Sequence, residues 1–155
     1  MNAFLFIPAA VNDAEVLAAL HQRCFDLPWS AEDMRGLLAS PGVTAILGGA
    51  GPASPPFGFI MMRVASDEAE VLSICVLPEA RGRGAGYALL EAGLAEVSGA
   101  GGKSVFLEVA ADNDSAKALY SRAGFRPAGA RKGYYARAAG PAMDAILMKL
   151  TLTPA

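Results

Sequence analysis

The sequence predicts an α/β (α+β) domain: one mixed, mostly antiparallel sheet of about seven strands, with about four helices on its two faces. Three observations lead there. Apolar residues recur with strand or helix spacing in the order strand, two helices, three strands, helix, strand, helix, two strands. Strands near the start, and later strands that alternate with helices, fit a mixed sheet covered on both sides. The 155 residues carry no internal repeat, long linker or low-complexity tract, so residues 1–155 are expected to form a single domain, large enough to bury a core without disulfides or metal.

Phe4–Pro8 is the expected first strand. From Asp13 to Phe25, Leu17, Leu20 and Cys24 share one face at helical spacing, and Pro28-Trp29 breaks the run. Ser30-Ala-Glu-Asp33 has the pattern of a capping box, with Asp where Glu or Gln is usual, and opens a short helix ending near Pro41. Val43–Leu47 and Phe57–Val64 read as antiparallel strands joined by the flexible loop GGAGPASPP. A strand from Glu70 to Val76 follows, with Asp67-Glu68 in the turn before it. A Gly-rich turn leads into a helix from about Gly84 to Ser98, with Leu90, Leu94 and Val97 facing one way. Ser104–Ala110 is the next strand. Asn113–Ala123 is a helix; Gly124 suits the left-handed position beyond its end, and Phe125 the hydrophobic contact after that. Strands near Arg126–Arg131 and Ala142–Leu152 close the chain.

Composition excludes several classes. A net charge of −2 gives no electrostatic footprint for nucleic acid. No uncharged apolar run approaches the roughly 18 residues of a membrane span, and the opening MNAFLFIPAAVND lacks the basic stretch of a secretory signal. Cys24 and Cys75 make neither a disulfide framework nor a metal quartet, which fits a reducing cytoplasm. His21 has no second histidine with which to build a metal site and reads as structural or exposed. The expectation is a soluble cytoplasmic domain without metal, nucleic-acid or membrane partners.

Arg81-Gly-Arg-Gly-Ala-Gly86 lies between a strand and a helix. Glycines let the backbone curl around a ligand, and the first N–H groups of the following helix have no partner within it. Such a nest suits a phosphate, and Arg81 and Arg83 carry charge for it. A Walker A loop needs Gly-Lys-Ser/Thr, but Gly86 is followed by Tyr87-Ala88. A dinucleotide fingerprint starting at Gly82 would need glycine at Tyr87, and one starting at Gly84 would need it at Leu89. Both fail. Taken alone, the turn is either an anion cradle or a tight connection from strand to helix.

The run VFLEVAADN places Glu108 among residues that a strand should bury. An ionised carboxylate in a core costs several kcal/mol unless it has partners. Either Glu108 points at an edge or cleft, or its placement is its use. Downstream, Ala116, Leu119, Tyr120 and Ala123 share one helix face, where Tyr120 reads as a core aromatic, and Asn113 reads as a helix cap.

Together these segments say more. Arg81-x-x-Gly84-x-Gly86, then Glu108, then Asn113-x-x-Ala116-x-x-Leu119-Tyr120-x-x-x-Gly124-Phe125 resembles the GNAT superfamily of acyl-CoA-dependent N-acetyltransferases. The likeness is strongest over Val71–Phe125. Phe25-Asp-Leu-Pro28-Trp29-Ser30, Ile74-Cys75-Val76, Leu107-Glu108-Val109 and Tyr134-Tyr135 followed by Asp144-Ala-Ile are similar to the RimI-type branch, whose members acetylate the N-terminal alanine of a ribosomal protein. Leu77 stands where that branch often has Asp, and the loop after Tyr135 is poorer in acidic residues.

The resemblance implies a V-shaped splay between the fourth and fifth strands, with the pantetheine of acetyl-CoA lying along Ile74, Cys75 and Val76 as an added strand. It implies that the backbone of Arg81, Gly82, Arg83, Gly84, Ala85, Gly86 and Tyr87 holds the pyrophosphate, and that Asn113 bonds the pantetheine arm or orders the site. A backbone N–H near Val76 would stabilise the oxyanion. Glu108 would take a proton from the incoming ammonium, directly or through water, and Tyr120 would protonate the departing thiolate. Trp29, Tyr134 and Tyr135 are candidates for an acceptor groove, since aromatics combine apolar area with polar tips. Cys75 reads as a small strand residue with no nucleophilic role, its thiol raised on burial. The implied acceptor is a protein N-terminus, with a small amine or amino acid, or a non-catalytic acyl-CoA-binding role, as alternatives.

Overall fold

Successive strand residues face alternate sides of the sheet, and with an apolar stripe on each helix they give the chain two layers of core around one sheet. The computed structural model describes residues 4–153. Its strands are β1 (Leu5–Ala9), β2 (Val43–Gly49), β3 (Pro56–Ala65), β4 (Glu68–Val76), β5 (Ser104–Ala110), β6 (Arg126–Tyr135) and β7 (Met143–Thr151). They lie in the order β1-β2-β3-β4-β5-β7-β6, and only β4 and β5 run parallel. The α-helices are α1 (Ala14–Cys24), α2 (Ala31–Leu38), α3 (Ala85–Gly99) and α4 (Asp114–Arg122), with 3-10 turns at Val11–Asp13 and Pro78–Ala80.

One core lies under α3 and α4, where Leu89, Leu90, Val97 and Tyr120 meet Ile60, Met62, Val71, Val105, Leu107 and Val109. The other lies under α1 and α2, where Leu17, Leu20 and Met34 meet Ala45, Leu47, Phe59, Met61 and Cys75. Burying a side chain of this size stabilises by roughly 1.5–3 kcal/mol, so the two layers supply most of the favourable free energy.

The expected element order holds, with local differences at the ends. The capping box forms in full: Asp33 N–H donates to Ser30 Oγ at 3.1 Å, and Ser30 N–H donates to Asp33 Oδ2 at 2.9 Å. Aspartate serves where glutamate is usual. β4 begins at Glu68, not Glu70, because the hairpin turns on Ser66, whose φ of 58° lets Ala65 pair with Glu68. β6 runs on to Tyr135, beyond the expected Arg131. It is an edge strand exposed along nearly all its length, so no apolar alternation marks its end.

The pairing between β4 and β5 positions everything that follows. It consists of Glu68↔Ser104, Ala69↔Val105 and Glu70↔Phe106, and then stops. At the closed end, the Asp67 carbonyl accepts from Lys103 N–H at 2.6 Å and from Ser104 N–H at 3.3 Å, pinning the two strands together. Beyond Glu70 each strand keeps its other partner: β4 stays with β3 to Val76, and β5 stays with β7 to Ala110. The sheet therefore opens as a V between its fourth and fifth strands.

Candidate active site

Two clefts meet at the splay. One, of about 520 Å³, runs along the open edge of β4 to the glycine turn and is bordered by Ile74, Cys75, Val76, Arg81, Gly82, Gly84, Ala85, Gly86, Tyr87, Asn113 and Tyr120. The other, of about 930 Å³, lies on the α1–α2 side and is bordered by Trp29, Tyr134 and Tyr135 among others. Glu108, Tyr135, Ser73, Cys24 and Phe25 border both. The carboxylate that looked misplaced in the sequence stands at their junction.

Glu108 reaches this place by alternation. Val105, Leu107 and Val109 point into the α3–α4 core, which turns Glu108 to the opposite face. Its Oε1 lies 3.4 Å from Arg131 Nε, while its Oε2 is buried and has no hydrogen-bond partner. The Arg131 guanidinium in turn sits over the Tyr134 ring at 4.7 Å. Tyr134 is thus engaged beneath an arginine at 56% exposure, whereas Tyr135 turns inward.

Tyr120 is 7% exposed and comes from the end of α4. Burial, and secondarily Tyr135, push its phenol above the ordinary tyrosine range. Tyr135 is likewise raised by burial and then by Glu108. Glu108, Tyr120 and Tyr135 all border the groove along β4.

The glycine turn has the geometry of a nest. Gly82 and Gly84 have φ of 81° and 80°, in the left-handed region, and Gly84 caps α3 with no side-chain bond to its first N–H groups. No acidic residue occupies the first turn. Those free donors suit an anion. The arginines are partly engaged: Arg81 Nε donates to the Val76 carbonyl at 2.9 Å, and the Arg83 guanidinium to the Glu79 carbonyl at 3.5 Å. Arg83 does not border the groove.

Asn113 caps α4, its Oδ1 accepting from Ala116 N–H at 3.2 Å, and still borders both clefts. Cys24 Sγ donates to the Val76 carbonyl at 3.6 Å, so that carbonyl already has two partners. Burial, with the Cys24 thiol beside it, pushes the Cys75 thiol far up, leaving no thiolate to act as a nucleophile. His21 is buried: its ring stacks on Phe25 and Trp29 at 4.2 and 4.7 Å, and its Nδ1 accepts from Trp29 N–H at 3.0 Å. Burial lowers its pKa to about 4, so it is neutral and shapes the wall that carries Trp29.

A strand edge without its neighbour, an anion nest, and a carboxylate and a phenol bordering the same groove fit the cofactor and chemistry of acyl transfer. The family model for Acetyltransferase (GNAT) matches residues 14–125. The chain belongs to the GNAT family. It is 32% identical over 147 residues to the ribosomal protein bS18-alanine N-acetyltransferase of Escherichia coli K12, covering 94% of this chain and 97% of that one. The crystal structure of the ribosomal-protein-S18-alanine N-acetyltransferase from Escherichia coli superposes with a TM-score of 0.88 at 29% identity, covering 99% of this chain and 96% of the other. Arabidopsis thaliana NAA60 in complex with a bisubstrate analogue shares the fold, with a TM-score of 0.83 at 21% identity over 99% and 100% of the two chains. This GNAT chain is an acetyl-CoA-dependent N-acetyltransferase.

Ser73, Cys24 and Phe25 were not legible as site residues. A bulge in β4 brings Ser73 into the site, and the packing of α1 against β4 brings the other two. No local pattern announces either.

Proposed function

We propose that this enzyme acetylates the N-terminal α-amine of a protein, with an alanine-initiated ribosomal protein as the type of acceptor. The observation that carries the reading is the second cleft, which is open on the α1–α2 side and reaches the splay at Glu108. A chain terminus can enter there while acetyl-CoA occupies the other groove. The length-spanning likeness to the bS18-alanine N-acetyltransferase supports the same acceptor.

Acetyl-CoA supplies an activated thioester carbonyl. The residues of this chain do the rest. The open edge of β4 and the turn from Arg81 to Tyr87 hold the cofactor, Asn113 orders the wall beside it, and a backbone N–H near Val76 faces the carbonyl oxygen. Trp29, Tyr134 and Tyr135 wall the acceptor cleft. Glu108 takes a proton from the ammonium, and the lone pair this frees then bonds the nitrogen to the carbonyl carbon. Tyr120, kept protonated by its burial, gives its proton to the sulfur as the C–S bond breaks, and the surplus proton on the new C–N nitrogen restores the phenol, leaving a neutral amide. Acid and base contribute about 10²–10⁴ in rate, and positioning of amine against thioester contributes much of the remainder.

The chemistry favours an α-amine. With a pKa of about 8 it is roughly 10% neutral at pH 7, whereas a lysine amine near 10.4 is neutral only about a few times in 10⁴. One carboxylate is a sufficient base for the first and a poor one for the second.

Peptides beginning Ala, Ser, Met and Gly, assayed beside small amines and amino acids for release of free CoA, test the acceptor. Turnover on an Ala-initiated peptide is expected, reduced at least 100-fold by Glu108→Gln. Turnover confined to small amines would overturn the peptide assignment.

A further inference from the structure

Among the described residues, two buried side-chain oxygens lack any hydrogen-bond partner: Glu108 Oε2 and Ser73 Oγ. Folded proteins seldom leave such atoms unsatisfied unless a ligand or water completes them. These two belong to one place. The last β4–β5 pair is Glu70↔Phe106, and Glu108 lies two residues further along β5. Two residues further along β4 is Leu72. The register with β3, however, passes from Met62↔Val71 to Met61↔Ser73, so Leu72 is an extra residue bulged out of the ladder. The bulge carries Ser73 up to the level of Glu108. Ser73 pairs with Met61, which faces the α1–α2 core, and Glu108 alternates with Leu107 and Val109, which face the other core. The hydroxyl and the carboxylate therefore lie on the same side of the sheet, on opposite arms of the V. Both border both clefts.

We propose that Ser73 is a positioning residue that, with Glu108, seats one water across the mouth of the splay. The water donates one O–H to Ser73 Oγ and the other to Glu108 Oε2, and accepts from the acceptor ammonium. Three partners are what an ordered internal water requires. Before the attack, the ammonium's proton passes to the water oxygen while the water's proton passes to Oε2, which frees the nitrogen lone pair, regenerates the water and leaves Glu108 protonated. The role of the bulge is then to bring a hydroxyl, in place of the Leu72 side chain, opposite the base. Arg131, on the other carboxylate oxygen, leaves Oε2 as the free acceptor.

This rests on Glu108 being the base, and the test separates the two claims. Turnover by wild type, Ser73→Ala, Glu108→Gln and the double variant is measured with saturating acetyl-CoA, at enzyme concentrations that read residual activity. Ser73→Ala is expected to lower kcat about tenfold or more, with the KM for acetyl-CoA within twofold and an unchanged melting temperature. In the Glu108→Gln background the same change should have no further effect, because the relay is already broken. Should Ser73→Ala fail to fold, Ser73→Cys carries the same expectation, its thiol being a poorer acceptor of nearly the same size. An undiminished kcat in the serine variant, or an equal loss in both backgrounds, overturns the relay. Full activity of Glu108→Gln alone would instead overturn the assignment of the base.

Discussion

Phe125 N–H donates to the carbonyl of Tyr120 at 3.0 Å, and the two rings meet edge to face with centroids 5.9 Å apart. With Gly124 N–H donating to the Ser121 carbonyl at 3.0 Å, these contacts complete a Schellman motif at the end of α4. The side chain assigned as the acid is thus held by the same contacts that stop its helix.

Gly124 sits at φ 104°, and an added Cβ would lie 3.1 Å from Leu150 Cδ1. Gly124→Ala is expected to destabilise by roughly 1–2 kcal/mol from backbone strain. In a chain of this size that lowers the melting temperature by about 2–8 °C. It should also lower kcat more than the KM for acetyl-CoA, because Tyr120 shifts while the glycine nest does not. Thermal melts beside steady-state kinetics check both parts; a melting loss with an intact kcat would show that the motif serves the fold alone.

Tyr120→Phe keeps the ring and removes the proton. A fall in kcat of about 10²-fold is expected, with acetyl-CoA still bound. Because burial and Tyr135 raise the phenol above its usual value, it stays protonated through the alkaline range, and Tyr120 should impose no loss of kcat between pH 7 and 10. A pH–rate profile of wild type and variant decides this; an alkaline limb below pH 10 that disappears in the variant would contradict it.

Gly84→Ala probes the nest. Nothing lies within 4 Å of the added Cβ, so the only local cost is its φ of 80°. The strain of about 1–2 kcal/mol falls on the loop that presents the first N–H groups of α3. The KM for acetyl-CoA is expected to rise about tenfold while kcat at saturation stays within twofold. An unchanged KM would reduce the turn to a connector.

His21 gives a stability signature. Its folded pKa is lowered from 6.5 to about 4 by burial, so the unfolded chain binds the proton more readily. Stability is therefore full above pH 6.5 and declines as pH falls from 6.5 to about 4, by on the order of 2–3 kcal/mol. His21→Gln should remove most of that slope between pH 6.5 and 5, where ordinary carboxylates titrate little. Urea unfolding of both proteins across that interval measures it; parallel curves would mean that His21 is not the group responsible.

Much of this fold is written in short stretches of sequence. The capping box at Ser30 and Asp33, the stop at Gly124 and Phe125, the nest between Arg81 and Tyr87, and the outward turn of Glu108 each depend on residues a few positions apart. Helical and strand periodicity act over the same range, and the GNAT motifs are built from such pieces. That is why the order of the elements, and the two side chains proposed as base and acid, stand out in the sequence.

Other features depend on pairing between distant segments. Neither arm of the V says that it will lose its neighbour after Glu70 and Phe106. The extra residue at Leu72 is defined only against β3, where the register passes from Met62↔Val71 to Met61↔Ser73. Tyr134 and Tyr135 are adjacent and chemically alike, yet one lies beneath Arg131 and the other borders the groove shared with Tyr120 and Glu108. His21 is buried because Phe25 and Trp29 fold over it. Local chemistry determined which groups could act; the sheet, by pairing strands far apart in the chain and letting β4 and β5 part beyond Glu70 and Phe106, decided which of those groups meet.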